Sequence, residues 1–329
     1  MSRTMSHRWR AAVGVALGLL VSATPAMAHE PSFAEWLVDL RNEAEALGIA
    51  HATLDAALTG IEPIARVIEL DRRQPEVTQT FDEYMARRVT PALVDEGRHA
   101  LQDHRELLEA VGAAYGVQPR FIVALWGVET RYGKYTGGFP VIASLATLAY
   151  DARRGSFFRR QLLDALSIID GGHIAATQMT GSWAGAMGQN QFMPSSFLDF
   201  AVDHDGDGRK DIWATAADVF ASTANYLARQ GWRGDQGWGG EVVLPEGLDP
   251  SLVGLDIAKR LGAWASLGVR GADGGVLAPS DTKASIVTPG GLDNAAYLVF
   301  DNYRTILKWN RSNYFAVSVG HLADLIGAG

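Results

Sequence analysis

A glutamate at the end of an apolar helical stripe is the residue of this sequence best suited to proton transfer. Glu129 follows Trp126 by three residues and Leu125 by four, so the three side chains share one face of a helix. A carboxylate on an apolar face loses solvation, which raises its pKa toward the range of a general acid at neutral pH. From the residues alone a structural role stays open, because a glutamate at a helix end can pair with a nearby base such as Arg131.

The segment 180–197 is a second place where the residue types suit ligand binding. Three glycines, three amide side chains and Ser182 fall within a dozen residues there. Glycines let the backbone approach a ligand closely, while amides and hydroxyls can bind sugar hydroxyl and acetamido groups. The alternative is a tight structural connection that precedes a helix.

Acidic residues after position 202 follow the spacing of an EF-hand-like loop. Aspartates stand at loop positions 1, 3, 5 and 9, glycine at position 6, and position 7 would offer its backbone carbonyl; the ligand candidates are Asp203, Asp205, Asp207, Arg209 and Asp211. Oxygen ligands in this order suit Ca²⁺ rather than Zn²⁺. Position 12, normally glutamate, is Ala214, and Asp218 follows four residues later. The pattern predicts a structural Ca²⁺ with no part in bond cleavage, and the alternative is an Asp/Gly-rich turn without metal.

These candidate sites need a predominantly helical framework to position them. Apolar residues recur at helical spacing through the region 29–117 and again from 118 to 232, and Pro91 and Pro119 are placed to open helices. Between 233 and 302 glycines become frequent, and the runs 241–244, 284–288 and 297–300 resemble short strands. Helical spacing returns in 303–329. The sequence therefore predicts a mainly α (α+β) fold: an N-terminal helical region, a core of residues 118–232 that contains the calcium-type loop 203–218, a small β-containing lobe, and a C-terminal helix that returns to the core.

The first 28 residues are typical of a cleaved export signal. Arg3, Arg8 and Arg10 precede an apolar run that ends near the small-residue site at 26–28. The alternative is an uncleaved anchor, but the apolar run is shorter than a bilayer requires, so no transmembrane segment is expected in the mature chain. The chain contains no cysteine, which excludes disulfides and a lipid-bearing N-terminal cysteine, and its net charge of −8 disfavours nucleic acid as a partner.

Five blocks, in this order and spacing, resemble the lytic murein transglycosylase B family, which comprises membrane-bound lytic transglycosylase B and its soluble relatives. The blocks are Gly127-Val-Glu-Thr-Arg-Tyr-Gly133, Gly181-Ser-Trp-Ala-Gly-Ala-Met-Gly188, Gln191-Phe-Met-Pro-Ser-Ser196, Asn225-Tyr226 and Trp309-Asn-Arg-Ser-Asn-Tyr314. The resemblance covers nearly all of the chain after the signal. It implies a lysozyme-like helical core and a soluble periplasmic enzyme.

The resemblance also implies roles for individual residues. Glu129 corresponds to the single catalytic acid/base, and the substrate-contacting or supporting positions are Ser182, Gln191, Tyr226, Asn310 and Tyr314. An acid near Asp218 closes the calcium loop in the family. Trp309 and Phe315 stand where tyrosines are expected, so a hydroxyl contact at these positions is predicted to be absent.

The implied reaction is cleavage of the β-1,4 bond between N-acetylmuramic acid (MurNAc) and N-acetylglucosamine (GlcNAc) in peptidoglycan. Its products would carry 1,6-anhydromuramyl ends, because the substrate's own acetamido group and 6-hydroxyl replace a second carboxylate and water. Such an enzyme is a lyase without an organic cofactor, and its partner is the glycan strand; the sequence indicates no protein partner. Two alternatives stay open: a lysozyme-like hydrolase and a noncatalytic peptidoglycan-binding or scaffold protein.

Overall fold

The computed structural model describes residues 31–73, 79–151 and 153–328. The predicted export signal, residues 1–28, lies outside them. Among the described helices, none combines the length and the apolar character needed to cross a membrane.

Six helices form the N-terminal region. They are α1 (Phe33–Ala46), α2 (His51–Leu58), α3 (Ala65–Arg72), α4 (Phe81–Arg88), α5 (Pro91–Asp103) and α6 (Arg105–Tyr115). Local sequence signals mark the starts of several of these helices. Ser32 and Thr80 each form a capping box with the glutamate three residues later. Pro91 is the first residue of α5, after the N-cap Thr90. The prediction for Pro91 is therefore confirmed.

Five further helices and a two-stranded pairing make up the core. The helices are α7 (Pro119–Thr130), α8 (Val141–Tyr150), α9 (Gly155–Asp170), α10 (Pro194–Phe200) and α11 (Ala216–Arg229), and the strands are β1 (Phe139–Pro140) and β2 (Thr180–Gly181), which pair antiparallel; Ala176–Gln178 forms a short 3-10 helix. Pro119 opens α7, as its position predicted. Residues 121–128 of α7 are all buried, because α5, α6, α11 and α14 (Asn313–Gly327) surround this helix.

The lobe after residue 233 contains an antiparallel five-stranded sheet with strand order β4-β6-β7-β3-β5. The strands are β3 (Gly239–Val243), β4 (Lys259–Arg260), β5 (Arg270–Gly271), β6 (Lys283–Val287) and β7 (Ala296–Val299), and the lobe also contains helix α12 (Leu261–Ser266) and a 3-10 helix, Pro250–Leu252. The three longer strands were predicted. β4, β5 and α12 were not, because elements of two to six residues carry almost no periodic signal.

The C-terminal segment consists of two helices rather than the single helix predicted. They are α13 (Asp301–Trp309) and α14. The break occurs because Asn310 is extended and the Ser312 side chain caps α14 by accepting a hydrogen bond from the Phe315 N–H. α14 then packs on α7, which confirms the predicted return to the core.

Trp232 and Trp238 are buried where the core meets the lobe, so neither presents its ring to a ligand. The Trp232 indole N–H donates to Gln118, and that of Trp238 donates to Asp324 of α14. Both tryptophans therefore have a structural role, with their indole N–H groups bonded within the protein. The fold as a whole is the predicted mainly helical one with a small antiparallel sheet.

Candidate active site

Glu129 lies in the last turn of α7, on the wall of a cleft of about 270 Å³. The cleft lies between the end of α7 with the chain that follows it and two helices of the N-terminal region, α4 and α5. Its lining residues are Arg87 and Arg88 from α4, Thr90 and Leu93 from the start of α5, residues 127–130 of α7, and Arg131 and Tyr135 beyond it. Glu129 is half-buried, so its carboxyl group can meet a ligand while most of its surroundings are protein.

Burial raises the pKa of the Glu129 carboxyl group to about 7, against two weaker influences. The hydrogen bond from Trp309 and the positive charge of Arg88 both favour the ionised form and lower the pKa. The pKa of Glu129 is thus raised, as the apolar stripe predicted. At neutral pH the group can hold a proton and can also release it, as an acid/base requires.

The chain turns sharply immediately after the last turn of α7, which contains Glu129. Arg131 and Tyr132 both have positive φ angles, of 49° and 59°, a conformation that costs non-glycine residues energy and needs support from the surroundings. The Tyr132 hydroxyl donates to the Leu93 carbonyl at 2.7 Å, and the Tyr132 ring packs against Gly127. Gly133 is required because a Cβ there would lie 2.3 Å from the Gln189 amide oxygen.

Arg131 does not pair with Glu129. Its guanidinium donates two hydrogen bonds to the Glu96 carboxylate, at 3.0 and 2.7 Å, and Lys134 lies 3.2 Å from the same carboxylate. The Arg131 hydrogen bonds and the nearby Lys134 hold the pKa of Glu96 well below its usual range, at about 2. The structural alternative considered for Glu129, neutralisation by Arg131, is therefore wrong.

Trp309, which stands where a tyrosine was expected, makes a polar contact with Glu129. Its indole N–H donates to Oε1 of Glu129 at 2.7 Å. Trp309 has no hydroxyl group, but an indole N–H is also a hydrogen-bond donor. Within the described residues no hydrogen bond is made by Oε2 of Glu129, so one carboxyl oxygen is held by Trp309 and the other has no partner, while the residue as a whole lines the cleft.

The glycine- and amide-rich segment packs directly against the chain that follows Glu129. The Gln191 amide donates to the Thr136 carbonyl at 3.0 Å, and the Thr130 hydroxyl donates to the Gln189 carbonyl at 3.1 Å. The Ser182 hydroxyl accepts a hydrogen bond from the Ala186 N–H. Ser182 and Gln191 are both half-buried, which leaves part of each side chain open to solvent beside these fixed contacts.

Of the other predicted contact residues, Tyr226 packs against Trp309, while Asn310 and Tyr314 follow Trp309 in the chain. The Tyr226 hydroxyl donates to the Lys308 carbonyl at 2.7 Å, and its ring lies 4.7 Å from that of Trp309, centroid to centroid. Asn310 is exposed immediately after Trp309. The Tyr314 ring makes edge contacts with the rings of two α4 residues, Phe81 and Tyr84.

Three of the aspartates predicted as metal ligands come together. One carboxylate oxygen from each of Asp203, Asp205 and Asp218 lies within 4.8 Å of the others. Asp218 is fully buried at the start of α11, and its two oxygens accept hydrogen bonds from the His204 and Asp211 N–H groups. Asp218, which lies 15 residues after Asp203, is therefore close in space to two of the loop aspartates, whereas position 12 of the spacing pattern is Ala214.

The other predicted side-chain ligands lie outside this group in the described structure. Asp207 accepts hydrogen bonds from both the backbone and the guanidinium of Arg209, and Asp211 accepts from the Trp213 and Ala214 N–H groups. Backbone hydrogen bonds of the same local kind also reach Asp203 and Asp205, so the turns do not by themselves separate these two aspartates from the group.

Two cleft residues, Arg88 and Tyr135, were missed as functional candidates. The hydrogen-bonding role of Trp309 was missed as well. Tyr135 is 68% exposed beside Glu129, and Arg88 is near enough to lower the pKa of Glu129. No local pattern marks Arg88, because a basic residue in the last turn of a helix is also what the helix dipole favours. An exposed tyrosine six residues after the candidate acid could have drawn attention.

Similarity to known proteins extends over nearly the whole described chain. Residues 32–324 match the family model described as the transglycosylase SLT domain. Membrane-bound lytic murein transglycosylase B of Escherichia coli K12 is 30% identical over 246 residues, which are 74% of this chain and 66% of that protein. The chain thus spans just under two thirds of this relative's length.

Solved structures show the same fold. SltB3 from Pseudomonas aeruginosa, in complex with NAG-anhNAM-pentapeptide, has a TM-score of 0.88 at 46% identity, covering 91% of this chain and 80% of that one. Escherichia coli Slt35, in complex with calcium, has a TM-score of 0.76 at 26% identity, covering 92% and 94%. The lysozyme-like fold, the cleft around Glu129 and these similarities agree: the chain belongs to the transglycosylase SLT-domain family and, within it, to the lytic transglycosylases of the B and SltB type.

Proposed function

We propose that this protein cleaves the MurNAc–GlcNAc β-1,4 bond of peptidoglycan and leaves 1,6-anhydromuramyl ends, with Glu129 as its one acid/base. The observation that carries the proposal is the Glu129 carboxyl group, which faces a cleft in this family's fold with a pKa near 7. SltB3 has been crystallised with NAG-NAM-pentapeptide and with the anhydro form of this ligand. Those ligands are a substrate-like and a product-like form of the same unit, which supports the proposed reaction.

In the first step, protonated Glu129 donates its proton to the glycosidic oxygen as the bond to C1 of MurNAc breaks and GlcNAc leaves with a free 4-hydroxyl. The MurNAc acetamido oxygen stabilises the positive charge at C1, a role that a second carboxylate has in most glycosidases. The Trp309 N–H holds Oε1 of Glu129, so Oε2 is the oxygen that carries the transferred proton.

In the second step, ionised Glu129 removes the proton from the MurNAc 6-hydroxyl, and O6 attacks C1. The acetamido group is released, the 1,6-anhydro ring closes, and Glu129 is protonated again for the next cycle. The Trp309 hydrogen bond and the Arg88 charge stabilise the carboxylate between the two steps, because both favour the ionised form.

Substrate contacts are proposed for Ser182, Gln191, Asn310 and Tyr314. Their supporting evidence is their position on the segments that enclose Glu129 and Trp309, with partly exposed hydroxyl or amide groups. Tyr226 is proposed to act through Trp309, since the Tyr226 hydroxyl already donates to the carbonyl of Lys308, the residue before Trp309.

A structural Ca²⁺ is proposed at the loop 203–218. Asp203, Asp205 and Asp218 offer converging carboxylate oxygens, which suits a hard cation with oxygen ligands, and the Arg209 carbonyl and the remaining loop aspartates are further candidates. When bound, the ion would neutralise the acidic loop and fix it to the start of α11.

The proposed location is the periplasm, with export directed by residues 1–28. The proposed organisation has an N-terminal helical region (29–117), a catalytic core (118–232), a β-containing lobe (233–302) and a C-terminal segment (303–329). Partial support comes from the separate hydrophobic cluster of the lobe, which is built around Trp264 and Ile286.

The test is mass spectrometry of the muropeptides released from purified peptidoglycan by the mature protein and by Glu129→Gln. We expect anhydromuramyl ends from the wild type, and a loss of at least about 10²-fold in rate for the variant. Ordinary reducing ends would indicate a lysozyme-like hydrolase, and the absence of new ends would favour a noncatalytic binding or scaffold protein. Near-normal turnover by Glu129→Gln would contradict the role of this residue.

A further inference from the structure

The side chain of Gln189 joins the end of α7 to the loop 203–218. Its Oε1 accepts a hydrogen bond from the indole N–H of Trp126 at 2.8 Å, and its Nε2 donates to the Trp213 carbonyl at 2.8 Å. An indole N–H can only donate and a carbonyl can only accept, so the amide satisfies both partners in one orientation alone. An ionised carboxylate could not donate to the carbonyl, and an apolar side chain could form neither bond.

The backbone of Gln189 makes the same connection. Its carbonyl accepts a hydrogen bond from the Thr130 hydroxyl at 3.1 Å, and its N–H donates to the Ile212 carbonyl at 2.8 Å. The Thr130 hydroxyl oxygen also accepts from the Gly133 N–H at 3.1 Å, within the turn that follows α7. Gln189 is therefore bonded to α7 through two groups and to the loop through two others.

The two α7 residues that Gln189 holds lie on either side of Glu129 in the chain. Trp126 stands about one helical turn before Glu129, and Thr130 follows it directly. Within the described residues Gln189 is not part of the cleft lining. Any effect of Gln189 on the reaction would therefore pass through the position of the end of α7.

We propose that Gln189 is a positioning residue for the acid/base: it fixes the end of α7 against the loop 203–218 and so sets where the Glu129 carboxyl group lies in the cleft. This inference rests on the proposed function. The Trp309 hydrogen bond restrains one carboxyl oxygen, whereas the backbone that carries Glu129 is placed by the contacts of α7. A displacement of about 1 Å at a catalytic group can lower the rate by about 10²-fold.

Substitution of Gln189 by a neutral side chain leaves the charges around the cleft in place. The titratable groups that line the cleft, or that pair with groups lining it, are Arg87 and Arg88 of α4, Glu96 of α5, and Arg131, Lys134 and Tyr135 from the chain after α7. Of these, Arg88 lowers the pKa of the catalytic carboxyl group. A changed pH profile would thus report the position and solvation of that group rather than a changed charge.

The test compares Gln189→Met with Gln161→Met in steady-state kinetics on soluble peptidoglycan strands. Methionine keeps an unbranched side chain of similar length but is at most a weak acceptor. Gln161 is the matched control, because it is a buried residue of α9 whose amide bonds the Ser195 hydroxyl at 3.0 Å and the Ser195 N–H at 3.1 Å. Both variants lose two side-chain hydrogen bonds, but only Gln189→Met releases the end of α7.

We expect Gln189→Met to lower kcat by about tenfold or more and to leave KM within about twofold, because the groups of the cleft wall are unchanged. The alkaline limb of kcat/KM should move to lower pH by about half a pH unit, since water that reaches the Glu129 carboxyl group weakens the burial that raises its pKa. Gln161→Met should keep the kcat, KM and alkaline limb of the wild type, even where urea unfolding shows an equal loss of stability.

Trp126→Phe removes the same hydrogen bond from the α7 side and should also lower kcat and move the alkaline limb to lower pH. The double variant Trp126→Phe/Gln189→Met should be little worse than Gln189→Met, because substitutions that break one shared interaction are not additive. Trp126→Phe keeps the test decisive if Gln189→Met does not fold.

Equal kinetics in Gln189→Met and Gln161→Met, or wild-type kinetics in Trp126→Phe, would overturn the positioning role. The proposed function is tested separately by the identity of the products. Ordinary reducing ends from the wild type would contradict the proposed function, and the kinetic comparison of the variants would still be interpretable from the rate at which those ends appear.

Discussion

The protonation of the Glu129 carboxyl group depends on its burial and on two residues from other parts of the chain, Trp309 and Arg88. Burial at the end of α7 raises the pKa of Glu129, while Trp309 and Arg88 lower it, and the resulting value is about 7. The acid step needs the protonated form, so kcat/KM of the wild type should fall on the alkaline side with a midpoint near pH 7. Neither neighbour has to touch the substrate to influence this profile.

Trp309→Phe should move this alkaline limb to higher pH by about one pH unit, because the carboxylate loses a hydrogen bond that favours its ionised form. It should also lower kcat by about tenfold, since the carboxylate that Glu129 carries between the two steps loses the same hydrogen bond. The measurement is a pH profile of anhydromuropeptide release. Trp309→Tyr is the control, because a hydroxyl can donate in place of the indole. An unchanged alkaline limb in Trp309→Phe would restrict Trp309 to packing.

At the scale of elements, the end of α7 is held by a tyrosine ring that fits between two glycine-containing helices. A Cβ at Gly127 of α7 would lie 2.7 Å from the Tyr132 ring, and one at Gly97 of α5 would lie 2.4 Å from the Tyr132 hydroxyl. The left-handed turn that follows Glu129 is thus supported by packing between α5 and α7.

Gly127→Ala should destabilise the protein by about 1–3 kcal/mol, since the added methyl group overpacks this contact. It should also lower kcat, because Tyr132 and the end of α7 must shift. Urea unfolding and the muropeptide assay are the two measurements. Gly262→Ala in α12 is the matched control: no atom lies within 4 Å of its added Cβ, and the substitution should be neutral or stabilising by about 0.4–1 kcal/mol. A Gly127→Ala protein as stable as the wild type would contradict the overpacking argument.

At the scale of the whole molecule, the site is assembled from distant parts of the chain. Glu129 and Trp309 are 180 residues apart in sequence, and α4 contributes the opposite cleft wall. α14 contacts α4, α5 and α7, so the C-terminal segment ties the N-terminal region to the catalytic helix. Stability of the overall fold and geometry of the site are therefore linked.

The proposed Ca²⁺ should raise the thermal unfolding midpoint, because an ion that binds the folded chain stabilises it by about 2.7 kcal/mol at a hundredfold excess over its dissociation constant. EDTA should reverse the increase. In Asp218→Asn the calcium-dependent part of the shift should disappear, even though the lost hydrogen bonds lower the midpoint in either buffer. Asp256→Asn, on an exposed residue of the lobe, should keep the full shift. Equal calcium responses in the two variants would exclude Asp218 as a ligand.

The sequence alone determined the features that depend on neighbouring residues. The apolar stripe that ends at Glu129, the helix starts at Pro91 and Pro119, and the longer strands of the lobe were all predicted, because hydrophobic periodicity and capping are local properties. The block around Glu129 and the glycine- and amide-rich segment were also identified in advance, from residue types and the family resemblance, whereas the part of the cleft wall formed by α4 was not.

Tertiary structure alone decided which groups meet. It paired Arg131 with Glu96 rather than Glu129, brought the Trp309 N–H to the catalytic carboxyl group, and set Arg88 across the cleft. It also selected Asp203, Asp205 and Asp218 from a longer series of acids. These outcomes depend on how helices far apart in sequence pack. Hydrogen bonds and charges act over a few ångströms in space, and residue spacing along the chain does not encode those distances.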